Sequence, residues 1–115
     1  MRIEKFEDII AWQKAKILTL RIYALLEHNR DFSYRDQIQR AAVSIMNNIA
    51  EGFERRGDVE LRRFFFIAKG SCGEVRSLLH LGRDLHYFSE SDFLYLHDLA
   101  LETSKLLSAF IKKLG

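Results

Sequence analysis

Residues 37–52 read QIQRAAVSIMNNIAEG, and this stretch decides the fold. Its apolar and small residues recur at steps of three and four, the spacing of one face of an α-helix: Ile38, Ala41, Ala42, Ile45, Ile49 and Gly52. The alanines and Ser44 are small, so a neighbouring helix can approach closely there. Asn48 shares this face, where a buried amide needs partners and, in helical assemblies, often fixes the register. The stretch carries no catalytic motif, and it predicts how helices meet.

The composition is that of an ordinary soluble domain. The chain has 115 residues, of which 48% are hydrophobic and 30% charged, and it contains no proline to interrupt long helices. Its net charge of +2 is too small to indicate nucleic acid by itself. The N-terminal residues lack the apolar run of a signal peptide, and the longest strongly apolar run, residues 64–68, is too short to cross a bilayer. We therefore predict one cytoplasmic domain over residues 1–115, with no membrane contact.

Hydrophobic periodicity predicts four helices, over residues 8–27, 33–55, 59–86 and 91–113. Ser33 and Ser89 each precede an acidic residue by three positions, which is the pattern of an N-terminal capping box, and Asp58 is a candidate N-cap. The connections between the helices are short. Together these features predict an all-α protein, an antiparallel up-down-up-down four-helix bundle.

The third helix carries a broader apolar arc than one core requires. With Leu61 at heptad position a, apolar residues occupy most a, d and e positions, and Phe64, Phe65 and Phe66 in succession cannot all point inward. The excess predicts a homo-oligomer with a second apolar interface. The predicted interface residues are Phe53, Phe65, Phe66, Ile67 and Leu81.

A search for catalytic and metal-binding motifs finds none. The chain has no glycine-rich phosphate loop, no HExxH and no serine elbow, and no glutamate has a histidine three positions later as a di-iron bundle requires. Cys72 is the only cysteine and is interpreted as a buried, inert thiol. Each of the four histidines is interpreted as a surface or interface residue. We predict no enzymatic activity, no metal and no cofactor.

The third helix also carries a line of cations. Arg62, Lys69, Arg76 and Arg83 recur every seven residues at heptad position b, where we expect them to be exposed. Three heptads rotate such a line by only about 60°, so the four form one stripe. A stripe of this kind is typical of a surface that binds a phosphate backbone, with Arg63 and Arg55 as secondary candidates. The simpler interpretation is a solvated helix face neutralised by neighbouring acids.

Other residues and functions remain open on the sequence alone. Arg40 and Glu74 are interpreted as a structural ion pair between the second and third helices, and Asn48 as a structural polar residue. Besides nucleic-acid binding, the chain fits a protein-interaction scaffold, or a small-ligand site within the bundle. Salt dependence separates the first two, because phosphate contacts weaken steeply with salt and apolar docking does not.

Several segments, taken together, resemble one known family. The segments are Trp12 to Ala15, Gln37 to Ile45, Asn48-Ile49-Ala50-Glu51-Gly52, and Phe64 to Glu74 with its Gly70-Ser71 pair. They resemble the bacterial four-helix-bundle proteins first noticed as products of intervening sequences in large-subunit ribosomal RNA genes. The chain is also similar to the accessory proteins of diversity-generating retroelements. The resemblance implies a homopentamer, and it implies structured RNA or RNA–DNA and a reverse transcriptase as partners.

Overall fold

Regular structure in the computed structural model, which describes residues 3–114, is entirely helical. A single 3-10 turn, Phe6–Asp8, precedes four helices: α1 (Ile10–Leu25), α2 (Phe32–Glu54), α3 (Asp58–Asp84) and α4 (Glu90–Lys113). No strand occurs within the described range. The molecule measures 42 × 21 × 19 Å. The all-α prediction is confirmed, and the arrangement is consistent with a four-helix bundle.

Each long helix packs against two of the others. The packed pairs are α1 with α2, α2 with α3, α3 with α4 and α4 with α1. Between α2 and α3, the Tyr34 hydroxyl donates to the Leu78 carbonyl at 2.5 Å, whereas the Ser44 and Ser71 hydroxyls lie 2.9 Å apart. Residue numbers therefore rise along one helix as they fall along the other. The same opposite order of residue numbers holds for the contacts of α4 with α1 and for those of α4 with α3.

The start of α4 follows the sequence prediction, whereas the start of α2 does not. The Ser89 side chain accepts a hydrogen bond from the Asp92 backbone N–H at 3.1 Å, so the predicted cap is confirmed. At α2 the cap is Asp31, which accepts from the Tyr34 N–H at 3.2 Å, and Ser33 already lies inside the helix. Aspartate caps as well as serine does, so the helix begins earlier than the Ser33 pattern implied.

The other helix ends differ from prediction by one or two residues. Asp58 is the first residue of α3 and not its cap, because extended Gly57 precedes it. There the carboxylate still complements the positive end of the helix dipole. Left-handed backbone conformations follow the ends of α2 and α3, with φ of 60° at Arg56 and 65° at His86. A left-handed residue is a common way to terminate a helix. α1 is shorter than residues 8–27 because the 3-10 turn takes up its predicted first residue.

The core lies between all four helices, and the face quoted from residues 37–52 points into it. The largest side chains that are fully buried come from every helix: Leu18, Ile22, Ile38, Ile45, Ile49, Phe65, Val75, Leu79, Leu96 and Leu107. Gly52 permits close contact between α2 and α3, since a Cβ there would lie 2.8 Å from the Phe64 Cβ. The predicted role of this face in helix packing is confirmed.

The buried face of α3 is rotated from the one that a coiled-coil heptad predicts. The fully buried apolar residues of α3 occupy a and e positions: Phe65, Ala68, Cys72, Val75 and Leu79. Of the d residues, Leu78 is buried, whereas Phe64 and Ser71 are only half-buried and Leu85 is exposed. At about 100° per residue, a face centred between a and e lies about 50° from one centred between a and d. Position b then lies about 80° from the centre of the buried face instead of about 130°. This rotation decides where the predicted cation stripe lies.

Candidate nucleic-acid interface

The rotation of α3 turns its four stripe cations toward α4, along the seam between the two helices. All four are half-buried, so the prediction that they would be exposed is wrong: Arg62, Lys69, Arg76 and Arg83. The physical reason is the rotated face of α3, which turns position b toward α4. The Arg83 guanidinium, for example, lies 4.2 Å from the centroid of the Phe93 ring of α4. The stripe is therefore a seam lined with cations, not an open helix surface.

Three of the seam cations have no acidic partner. Within residues 3–114, no carboxylate forms an ion pair with Arg62, Lys69 or Arg76. Arg83 alone has one, the exposed carboxylate of Asp84 at 3.5 Å. The Nη1 atom of Arg76 is buried and makes no hydrogen bond within that part of the chain. A buried donor without an acceptor is rare and unfavourable, so the seam offers hydrogen-bonding capacity that the protein itself does not use.

The two secondary cations belong to a different surface. Arg55 pairs with Glu51 at 3.0 Å and with Glu60 at 3.4 Å, and Arg63 pairs with Glu60 at 3.4 Å. Both guanidinium groups lie over the Phe64 ring, at 5.1 and 5.3 Å from its centroid. Phe64 occupies a d position, which faces α2. The six predicted cations therefore form two groups, and the Arg55–Arg63 group is already neutralised by glutamates.

Two histidines that the sequence pattern does not bring together lie beside each other at the seam. The ring centroids of His80 on α3 and His97 on α4 lie 5.1 Å apart, and both rings pack against Phe93. Burial, followed by the charges of His80 and Arg76, lowers the pKa of His97 below its usual range. The sequence signal was available in part, since Arg76 and His80 are four residues apart on α3, as are Phe93 and His97 on α4.

The predicted oligomer residues fall into three classes of exposure. Phe66, Ile67 and Leu81 are 53%, 42% and 48% exposed, so they are free to contact a second chain. Phe53 is half-buried against the core. Phe65 is fully buried and packs edge-to-face on Phe110 at 4.9 Å, so its assignment to an interface is wrong. Phe65 occupies an e position, and it is the burial of the e residues that makes the buried face of α3 differ from the predicted one.

Of the predicted structural polar residues, Asn48 makes structural hydrogen bonds, whereas Arg40 and Glu74 do not pair. Asn48 is half-buried and donates through its side-chain amide to the Ser44 carbonyl at 2.8 Å and the Ser44 hydroxyl at 3.0 Å. The Ser44 hydroxyl in turn meets Ser71, so a short polar chain crosses from α2 to α3. Arg40 and Glu74 are both exposed and form no ion pair with each other, so that prediction is wrong.

A cavity at one end of the molecule is lined by residues other than the stripe cations. A cavity of about 550 Å³ lies at one end of the molecule, between the start of α1 and the end of α4, with Ile9, Leu106 and Phe110 in its lining. Residues 3–114 contain no group of three His, Cys, Asp or Glu side chains placed to hold a metal ion. Cys72 is buried, and burial raises the pKa of its thiol to about 12, which keeps it protonated. No helix in this range is long and apolar enough to cross a membrane.

Comparison with known proteins finds a family and a fold. The family model described as 23S rRNA-intervening sequence protein matches residues 7–109. A crystal structure from Bacteroides thetaiotaomicron, of a protein with unknown function from the S23 ribosomal protein family, is similar with a TM-score of 0.82. The two chains are 24% identical, and the match covers 89% of this chain and 98% of the other. At that identity the similarity shows the fold alone. No curated protein matches this chain.

Proposed function

We propose that this chain, which belongs to the 23S rRNA-intervening sequence protein family, is a non-enzymatic protein that binds structured RNA along the α3–α4 seam. The observation that carries the proposal is a row of half-buried cations, Arg62, Lys69 and Arg76, continued by Arg83. Within residues 3–114 the first three have no acidic partner. Cations that the protein leaves unpaired along one line suit a polyanion, because each phosphate they neutralise releases a bound counterion.

The spacing of the seam suits a nucleic-acid backbone. Residues seven apart on a helix are separated by about 10.5 Å along its axis, so the four cations span about 31 Å. Phosphates of one strand of a nucleic acid follow each other at shorter intervals, and flexible Arg and Lys side chains reach several of them. Such contacts fix the position of the RNA but read no sequence, so we propose recognition of shape and charge.

We propose further that the chain is an antiparallel up-down-up-down bundle that assembles with copies of itself. The reversed order of contacts between packed helices supports the topology, and exposed Phe66, Ile67 and Leu81 support the assembly. Assembly matters for binding because a weak seam repeated in each subunit gains affinity when several seams engage one RNA. The pentamer implied by the resemblance is the size that we expect.

Anisotropy of a fluorescent RNA hairpin tests the proposal. With three or four phosphate contacts, the affinity of the wild-type protein should fall about 20- to 150-fold between about 50 mM and about 200 mM salt. The seam variant changes all four cations to glutamine, which keeps a polar side chain where glutamate would be half-buried without a partner. It should lose most of the binding and most of the salt dependence.

A charge-matched variant is the control for this experiment. It removes the same number of positive charges from exposed cations elsewhere, by glutamine substitution at Lys5, Lys16, Arg30 and Lys112. Both variants are first compared with the wild-type protein by circular dichroism and light scattering. If the control loses as much affinity as the seam variant, net charge and not the seam governs binding. If the wild-type protein does not bind RNA, the proposal fails, and a protein-interaction scaffold becomes the better hypothesis.

A further inference from the structure

One end of the seam concentrates the groups that could hold a single phosphate. Around the Phe93 ring lie the Arg83 guanidinium at 4.2 Å, the His80 ring at 5.1 Å and the His97 ring at 5.4 Å. One helical turn before His80, Arg76 contributes a buried N–H with no acceptor. The four polar groups come from α3 and α4 and meet where the two helices are packed together.

The charges that face this cluster are mainly positive. Toward His97, α3 presents Arg76, His80 and Arg83, and the neighbouring Asp98 on its own helix supplies the one opposing charge that acts on it. The exposed carboxylate of Asp84 lies beside Arg83, at 3.5 Å. Guanidinium and protonated imidazole N–H groups are usual ligands of a phosphate oxygen.

We infer that Arg76, His80, Arg83 and His97 together bind one phosphodiester group of the RNA backbone, and that binding is accompanied by protonation of His97. This inference rests on the proposed function and adds to it an anchor point and a dependence on pH. Arg76 and Arg83 supply permanent charge, and the Phe93 ring holds the Arg83 guanidinium and both imidazoles in place.

The direction of the pH dependence follows from the electrostatics. Without an anion, burial, and after it the charges around His97, keep the pKa of its imidazole below the usual value of about 6.5, so the neutral form predominates at pH 7. A bound phosphate opposes those cations and raises the pKa. Proton uptake then favours the complex as the pH falls. A rise of between half a unit and one unit corresponds to a gain in affinity of about three- to tenfold.

The experiment measures RNA binding by anisotropy at about pH 7.5 and about pH 5.5, at one fixed salt concentration. A phosphodiester keeps one negative charge throughout this range, so a change in affinity comes from the protein. The test variant is His97→Gln. The control is His28→Gln, which removes the same titratable group from an exposed position at the end of α1. We expect a three- to tenfold gain for the wild-type protein and the control, and a clearly smaller gain for His97→Gln, in which the His80 imidazole is still part of the site.

A second measurement stays informative if His97→Gln does not fold or if RNA does not bind. The imidazole C–H resonances of the wild-type protein are titrated by NMR with and without dimethyl phosphate, a small phosphodiester. The inference requires that dimethyl phosphate raise the pH at the midpoint of the His97 titration and leave the midpoint of the His28 titration unchanged. His80→Gln, at an exposed position, should reduce this rise.

The possible outcomes separate the inference from the proposed function. Salt-sensitive RNA binding without a pH effect, or with a pH effect that is undiminished in folded His97→Gln, overturns the inference and leaves the proposed function standing. If RNA does not bind at either pH, the proposed function fails. A rise in the His97 midpoint with dimethyl phosphate would then still support a phosphate site, and an unchanged midpoint would overturn it.

Discussion

Two glycines of α3 should respond in opposite directions to the same substitution. Gly82 is buried against α2 and the segment after α3, where a Cβ would overlap the Tyr34 hydroxyl and lie 2.7 Å from the Phe88 Cε2. Tyr34 cannot move away without losing its hydrogen bond to the Leu78 carbonyl. Gly70 is exposed, and a Cβ there would meet no atom within 4 Å. Gly82→Ala should therefore destabilise the protein, and Gly70→Ala should stabilise it.

The magnitudes follow from three contributions. At an exposed helical position, alanine is more favourable than glycine by about 1 kcal/mol. This difference is the whole effect expected at Gly70. At Gly82 the same preference is opposed by overpacking, about 1–3 kcal/mol, and by strain or loss of the Tyr34 hydrogen bond, about 1–3 kcal/mol. The net loss at Gly82 is about 3 kcal/mol. For a chain of this size, Tm should rise by roughly 4 °C in Gly70→Ala and fall by roughly 12 °C in Gly82→Ala.

Urea unfolding followed by far-UV circular dichroism measures both changes. The variants are compared at one protein concentration and with masses from light scattering, because the stability of an oligomer depends on concentration. If Gly82→Ala is as stable as the wild-type protein, the contact of Tyr34 with α3 is not as described. If Gly70→Ala is destabilised with a reduced mass, Gly70 lies within a subunit interface.

The remaining predictions concern assembly and the loop between α1 and α2. Asn48→Leu should keep or raise the free energy of unfolding but broaden the distribution of oligomers seen by light scattering, because leucine specifies no register; a single unchanged species would argue against that role. Phe66→Glu should lower the mass of the oligomer, since a charge in an apolar interface is unfavourable, and an unchanged mass would place the interface elsewhere. Tyr87→Phe removes the hydroxyl that donates a hydrogen bond to the Asp31 carboxylate at 2.5 Å. This hydrogen bond, followed by the one from the Tyr34 backbone N–H, lowers the pKa of Asp31. In the wild-type protein this carboxylate stabilises the fold above its unfolded pKa of about 3.9, and the contribution is lost as the pH falls through the lower folded value. Tyr87→Phe should therefore lose stability at neutral pH, measured by urea unfolding, and show a higher Asp31 pKa by NMR; an Asp31 pKa unchanged from wild type would contradict this.

Features that depend on neighbours in the sequence could be predicted from the sequence. The apolar face of residues 37–52 is one, because a period of three and four residues defines a helix face without knowledge of its partner. The Ser89 cap is another, because its hydrogen bond reaches only three residues along the chain. Errors of one or two residues at helix ends arose where two capping residues compete locally, as Asp31 and Ser33 do.

Features that depend on packing between helices could not be predicted in this way. A heptad scheme assumes one partner helix, but α3 packs against both α2 and α4 and buries its e positions. That single difference places Phe65 in the core and draws the cation stripe into a seam. The pairing of His80 with His97 depends on the register between α3 and α4, and a search for histidines within one helix cannot find it.

The distribution of acids explains how a chain with a net charge of only +2 can present a strongly basic seam. Several acids pair with cations elsewhere: Glu102 of α4 with Lys14 of α1 at 3.1 Å, and Glu51 and Glu60 with Arg55. These pairs are exposed and contribute little stability. Their consequence is electrostatic, because acids that neutralise cations on other faces do not oppose the cations of the seam, where Asp84 and Asp98 are the opposing charges that the contacts show. Local separation of charge, and not net charge, therefore makes RNA binding physically reasonable for this protein.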